Sequence, residues 1–229
     1  MRLVAIDTSS KIASVAAFED DLLVRETARE AVSIHAEVLV PMLDELFARL
    51  GWLPHEVGRW AVDIGPGSFT GLRVGLAAVK GIVFATGAQV VAVGALDALA
   101  LDVPPGEVAV SVLEAGKREV FLQAKKGRAG IALANATHLP NDRAAEWLKS
   151  VLPPSGTATA VGRAAKEIDW SPLGGRVTLW TAPPYDWPKA SAIGRLARGA
   201  PAVEDIDALE PVYLRPPELT SPARMGFVG

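Results

Sequence analysis

Short apolar runs that stop at a carboxylate, each followed by alternating strands, open both halves of this 229-residue chain. In the first half, Leu3 to Ile6 ends at Asp7, Ile12 to Phe18 forms a second strand, and a polar turn at Glu19-Asp20-Asp21 leads to a third at Leu22 to Arg25. In the second half, Val108 to Leu113 ends at Glu114. A turn at Ala115-Gly116-Lys117-Arg118 then leads to Glu119 to Ala124, with a third strand predicted at Ala129 to Leu133. Between the meanders the period becomes helical. Ile34 to Leu50 places Ile34, Val38, Leu39, Met42, Leu43, Leu46, Phe47 and Leu50 on a wide apolar stripe, with Ser33 as N-cap and Gly51 as stop. A surface helix usually buries a narrower face, so either the lobe covers the whole stripe or a partner meets part of it. Pro41 lies inside this helix and removes one of its hydrogen bonds.

The segment Gly65-Pro66-Gly67-Ser68-Phe69-Thr70-Gly71 joins an apolar strand, Trp60 to Ile64, to an amphipathic helix, Leu72 to Thr86, and Val90 to Val93 is the next strand. Its glycines allow backbone angles closed to other residues, and Ser68 or Thr70 can cap the helix. Two readings stand on local physics: an anion-binding loop at a helix start, or a tight turn that serves packing only. It is not a P-loop, because the Gly-Lys-Ser/Thr ending is missing. Further on, Asp142 to Val151 and Ala190 to Arg198 read as helices, and Ala158 to Val161 and Val177 to Trp180 as strands. The tail after Leu214 has little periodicity. Pro104-Pro105-Gly106 marks a boundary between an N-terminal lobe, 1–103, and a C-terminal lobe, 104–229.

The glycine segment, continued through Leu72-Arg73-Val74-Gly75 to Lys80-Gly81, resembles the signature of the bacterial TsaB (YeaZ) family. Ile6-Asp7-Thr8-Ser9, His35-Ala36-Glu37 with Leu39-Val40-Pro41, Glu119-Val120-Phe121 and Pro211-Val212-Tyr213-Leu214-Arg215 resemble that family's other landmarks, in the same order. The resemblance implies an α/β actin-like (ASKHA, sugar-kinase-like) fold with two RNase H-like lobes, in agreement with the repeated meander. It implies a non-enzymatic subunit that pairs with TsaD and supports threonylcarbamoyl transfer to adenosine 37 of tRNA. The ATPase TsaE would engage the TsaB–TsaD pair, tRNA would be held only within the complex, and the chain would form a homodimer when TsaD is absent. The implied interface is on the two helices, at Ile34, His35, Val38, Leu39, Met42 and Leu46 and at Gly71, Arg73, Val74, Gly75, Ala78, Gly81, Ile82 and Ala85. Small residues four apart in the second helix would let another helix approach closely.

Length and composition fit a small soluble protein. Half the residues are hydrophobic, enough for a substantial core. The net charge of −3 gives no electrostatic footprint for nucleic acid. There is no cysteine, which removes thiol catalysis and thiolate metal sites and suits a cytoplasmic protein. The apolar runs are broken too often for a membrane span to be expected, and no cleavable leader is expected either.

Chemistry-bearing candidates are few. Asp7 ends the first strand, where actin-like phosphotransferases carry a nucleotide-site carboxylate within Asp-x-Gly-Thr; here the segment is Asp7-Thr8-Ser9-Ser10, without the glycine. A turn-capping role competes with a residual nucleotide role. His35, His55 and His138 are far apart in sequence. The resemblance places the metal-binding His-x-x-x-His pair of TsaD at Ala95 and Leu99 of this chain, and neither binds a metal. No metal or other cofactor is therefore expected in this chain; metal, and any nucleotide, would belong to the partner subunits. Ser68 is not in a Gly-x-Ser-x-Gly elbow. Arg73 and Lys80, seven apart on one helix, are either an anion or partner site or two solvated charges. Two rival functions remain open: an active ATP-dependent phosphotransferase of the same fold, and a metallopeptidase.

Overall fold

The computed structural model describes residues 1–30, 35–126 and 130–215, without the side chains of residues 35 and 36. Its first half builds a sheet from β1 (Arg2–Asp7), β2 (Ile12–Glu19), β3 (Leu22–Glu30), β4 (Arg59–Asp63) and β5 (Gln89–Val93), in the order β3-β2-β1-β4-β5. The second half repeats it with β6 (Val108–Gly116), β7 (Glu119–Lys126), β8 (Ala132–Pro140), β9 (Ala158–Val161) and β10 (Val177–Trp180), in the order β10-β9-β6-β7-β8. Hairpin neighbours pair antiparallel, whereas β1 with β4, β4 with β5, β6 with β9 and β9 with β10 pair parallel. Parallel pairing needs a crossover. In the first lobe that need places α1 (His35–Leu50) and α2 (Phe69–Thr86) on the sheet.

Alternation along β1 divides the first lobe into two cores. Val4 and Ile6 face Leu39, Met42 and Leu46 of α1, Leu76 and Val79 of α2, and the fully buried Trp60. Leu3 and Ala5 face Phe18, Val91 and Ile193 on the other side. Ile193 belongs to α5 (Ala190–Ala197), which packs on β1, β2, β4 and β5. A Cβ on Gly194 would collide with the Phe18 ring, so glycine is what lets α5 lie this close. The chain beyond α5 also stays with the first sheet: Val203 N–H donates to Val90 O at 2.7 Å, and Val212 N–H donates to Ile64 O at 2.7 Å. Residues 190–212, which the boundary at 104 assigns to the C-terminal lobe, thus pack against the first sheet. In the second lobe, α4 (Asn141–Val151) covers the sheet with Ala144, Ala145 and Leu148.

Several elements differ from their sequence reading. The third strand of the second meander is Ala132–Pro140 rather than 129–133; it is an edge strand with few buried positions, so its pattern is weak. Residue 129, and the Ser33 cap and Ile34 at the start of α1, lie outside the described residues. β3 runs on to Glu30 because pairing with β2 supports its polar half. The helix α3 (Ala95–Ala100) had no counterpart in the periodicity; it is short and largely buried. α2 is 18 residues long with a mean hydropathy of 1.4, enough to cross a membrane by length and composition alone, although Arg73 and Lys80 interrupt it. In this fold it packs on α1 and β4.

Candidate functional site

The glycine loop is tied on both sides by main-chain hydrogen bonds. Ser68 N–H donates to Ser9 O at 2.7 Å, and Ala95 N–H donates to Gly65 O at 2.9 Å. Gly65 has φ +101°, a region that favours glycine. A Cβ on Gly67 would run into the Ser9 carbonyl, so this second glycine brings the loop onto the end of β1. Ser68 is the N-cap: its Oγ accepts from Gly71 N–H at 3.1 Å, and its carbonyl accepts from Leu72 N–H at 2.9 Å. These bonds use N–H groups that a bound anion would need, and they favour the packing reading of the loop. Gly65 and Pro66 are buried, Gly67, Ser68 and Phe69 are half-buried, and Thr70 is exposed.

The predicted interface residues separate into three groups. Leu39, Met42, Leu46, Gly71 and Gly75 are buried inside the lobe and offer no surface, which corrects their assignment to an interface. The wide apolar stripe of α1 is largely used by its own sheet. Val38, Val74, Ala78 and Ile82 are half-buried at the core margin. Arg73, Gly81 and Ala85 are exposed. Ile34 and the His35 side chain lie outside the described residues. Sequence reasoning missed Phe84, which is 93% exposed, and Val40 on α1, at 54%. Phe84 lies three residues after Gly81 and seven after Ala77, on the exposed row of α2; that spacing was a readable signal.

The chain's own C-terminal arm engages two cations of α2. Arg73 lies over the Phe69 ring at 3.8 Å and donates to the Tyr213 hydroxyl at 3.0 Å. Lys80 Nζ donates to Asp207 O at 3.0 Å. Arg215 donates to Ala115 O at 2.9 Å and pairs with Glu119 at 2.9 Å, so the arm reaches the second lobe. Between the lobes a cleft of about 470 Å³ is lined by Ser9–Lys11, the glycine loop, residues 113–117, Phe121 and the arm. Lys11 and Glu114 form an ion pair at 3.3 Å between the two hairpins.

Asp7 is fully buried, and its Oδ1 accepts from the N–H and hydroxyl of Ser9, at 3.0 and 2.7 Å. His138 contacts Glu119 at 3.1 Å. Among the described residues, no three His, Asp or Glu side chains come together as a metal-binding group.

These two lobes, each a mixed five-stranded sheet, form an actin-like fold, which recurs in the ethanolamine utilization protein EutJ of Carboxydothermus hydrogenoformans (TM-score 0.53, 12% identity, 85% of this chain and 89% of that one). The profile of the family described as "TsaD: tRNA N6-adenosine threonylcarbamoyltransferase" matches residues 28–175. The tRNA threonylcarbamoyladenosine biosynthesis protein TsaB of Bacillus subtilis is 24% identical over 219 residues, 94% of each chain. The Haemophilus influenzae protein of the same description is 32% identical over 126 residues, 53% of this chain and 52% of that one. A Pseudomonas aeruginosa crystal structure, described as an uncharacterized protein with similarity to peptidase YEAZ, superposes with TM-score 0.74 at 25% identity, covering 93% of this chain and 99% of that one. The chain belongs to the TsaB/YeaZ family, within the wider TsaD grouping, whose members include tRNA threonylcarbamoyladenosine biosynthesis proteins.

Proposed function

We propose that this chain is a non-catalytic subunit that pairs with a TsaD-type transferase through the outer face of α1 and α2, and so enables threonylcarbamoyl transfer to adenosine 37 of tRNA. The observation that supports this most directly is Phe84. An aromatic ring 93% exposed, beside the small exposed residues Ala77, Gly81 and Ala85, gives a helix partner both an anchor and room to approach. Arg73, Val74, Ala78 and Ile82 border this row, and Val38 and Val40 add apolar surface from α1.

The chemistry of the interior supports a non-catalytic reading. The Asp7 carboxyl is buried and spent on the Ser9 turn rather than presented to the cleft. Glu114 places a negative charge beside Lys11 where a nucleotide's phosphates would need cations, so the residues present fit that group poorly. Ala95 and Leu99 are buried and have no ligand atoms. Metal, and any nucleotide, would then belong to the partner subunits, and TsaE would act on the assembled pair. A lobe boundary after residue 103, with residues 190–212 returning to the first sheet, would put both partner helices in the first lobe. Alone, the same face would pair with a second copy, in a cytoplasmic setting. Pairing would favour the competent arrangement of the transferase by population shift.

The test is reconstitution with purified TsaD, TsaE, threonylcarbamoyl-adenylate and tRNA, with and without this chain. Modified adenosine should form only when the chain is present, and the chain alone should be inert. Equal product without it would refute the proposal.

A further inference from the structure

A second cavity, of about 360 Å³, opens between the lobes beside the cleft already described, and Lys11 and Glu114 line both. On the side of the second lobe it is formed by the end of β6, the turn after β9 and the segment that leads into α5. Arg163 N–H donates to Asp186 O at 2.7 Å, which fastens that segment to the end of β9. A Cβ on Gly162 would strike the Val112 carbonyl, so glycine brings the turn against β6. From the first lobe come Ile12 and Glu30, register partners on β2 and β3.

Asp186 lines this cavity and is only 7% exposed. Its Oδ1 is enclosed and has no hydrogen-bond partner. An enclosed carboxylate oxygen without a donor is costly, and such groups are rare in folded proteins. Burial raises the carboxyl above the ordinary aspartate range; the charges of Lys189, Arg163 and Lys166 oppose this only in part. The charges around the cavity do not balance either. Lys11 is taken by Glu114 at 3.3 Å. That leaves Asp186 with the exposed Glu30 and Glu167, against Arg163 alone. Ile12, Val112 and Leu113 supply an apolar wall.

We propose that this cavity binds a linear aliphatic diamine. One ammonium group donates to the Asp186 carboxylate, the methylene chain lies along Ile12, Val112 and Leu113, and the second ammonium group meets the carboxylates of Glu30 and Glu167. An ammonium group has donors and no acceptor, which is what an enclosed carboxylate oxygen lacks. A charge-assisted bond of this kind is about twice as strong as a neutral one. An anion in the same place would meet more carboxylates than cations. A single amine, the form a lysine side chain of another protein would offer, answers only one end of the charge pattern. The site belongs to the isolated chain and does not depend on pairing with TsaD.

The test titrates the full chain with α,ω-diaminobutane at constant ionic strength, by calorimetry and by backbone-amide NMR. Binding should saturate at one diamine per chain, and the amides that shift should be those of residues 112–114, 163–167 and 186–187. Asp186→Asn keeps the shape and removes the charge, so it should weaken binding at least about tenfold, the worth of one hydrogen bond to a charged group. Glu167→Gln, at an exposed position, should leave the fold intact and lower the affinity by a smaller factor. Butylamine, which stands in for a lysine side chain of another protein, should bind more weakly than the diamine, and α,ω-butanediol should not bind. Absence of saturation, equal binding by the monoamine or the diol, shifts confined to other residues, or unchanged affinity in a folded Asp186→Asn chain would each overturn the proposal. If Asp186→Asn does not fold, the wild-type shifts and Glu167→Gln decide, and unchanged affinity in Glu167→Gln then overturns it.

Discussion

Arg73 Nε donates a hydrogen bond to the Tyr213 hydroxyl at 3.0 Å, a contact between residues 140 apart in sequence. The Tyr213 ring also lies 4.9 Å from that of Phe69, so the arm is fastened to the loop that begins α2. An aromatic pair contributes about 0.5–1.5 kcal/mol beyond burial and an exposed cation–π contact about 0.5–1 kcal/mol.

Tyr213→Ala loses the ring contacts and the hydroxyl bond together and should therefore lower stability by about 1.5–3.5 kcal/mol. Tyr213→Phe keeps the ring and should lose about 0.5–1 kcal/mol, the worth of one hydrogen bond. Urea unfolding midpoints read both changes. Equal losses in the two variants would mean that the hydroxyl, not the ring, holds the arm.

Two glycines of α2 should respond with opposite signs. A Cβ at Gly75 would collide with Thr8 Oγ1, and Thr8 is buried and stiff about χ1. Overpacking of this kind costs about 1–3 kcal/mol, against about 1 kcal/mol gained in helix propensity. Gly75→Ala should be destabilising on balance. Gly81 has nothing within 4 Å of its Cβ position, so Gly81→Ala should gain up to about 1 kcal/mol. Gly81→Trp should leave the monomer folded while abolishing partner pairing. Thermal melts and a pull-down with TsaD check the pair.

The contrast between these glycines marks how far the sequence could be read. The spacing of Gly71, Gly75 and Gly81 was visible, but not which glycine meets Thr8 and which meets solvent, because that depends on how α2 rotates against β1. Strong local patterns were legible: β1, β2, the Ser68 cap and the end of α2 at Thr86. β8 was misplaced because an edge strand shows little alternation. The return of α5 to the first sheet was hidden because a crossover between lobes leaves no periodic trace. Asp7 stood out at its strand end, but its place beside Asp63 depends on strand register, which only the folded sheet reveals.

Burial, then the Asp7 charge, lifts the Asp63 carboxyl well above the ordinary aspartate range, and this fixes the sign of one pH effect. Between the ordinary aspartate range and the raised native value, the native state binds more protons than the unfolded state. The contribution of Asp63 to stability is therefore greatest at low pH and is lost as pH rises through the native value. Glu56 and Asp169, both exposed, are lowered mainly by backbone N–H bonds; their contributions are present at higher pH and lost on acidification. Comparison with Asp63→Asn separates the two: subtracting the variant's stability curve should leave a component that declines as pH rises. A component that rises instead would mean that Asp63 is charged in the native state.

Phe84 separates folding from association more cleanly than any other residue on α2. Its ring is 93% exposed, so Phe84→Ser removes almost no internal contact, and the monomer's stability should change by no more than about 0.5 kcal/mol. At an interface the same ring would be a central anchor, and truncating an anchor of this type costs about 2 kcal/mol or more. That corresponds to pairing with TsaD weakened by at least about thirtyfold. Calorimetric titration of wild-type and Phe84→Ser chains against TsaD measures the difference, with melting curves confirming that both are folded. Unchanged affinity in a folded variant would move the interface off the exposed row of α2 and leave Phe84 without a role in pairing.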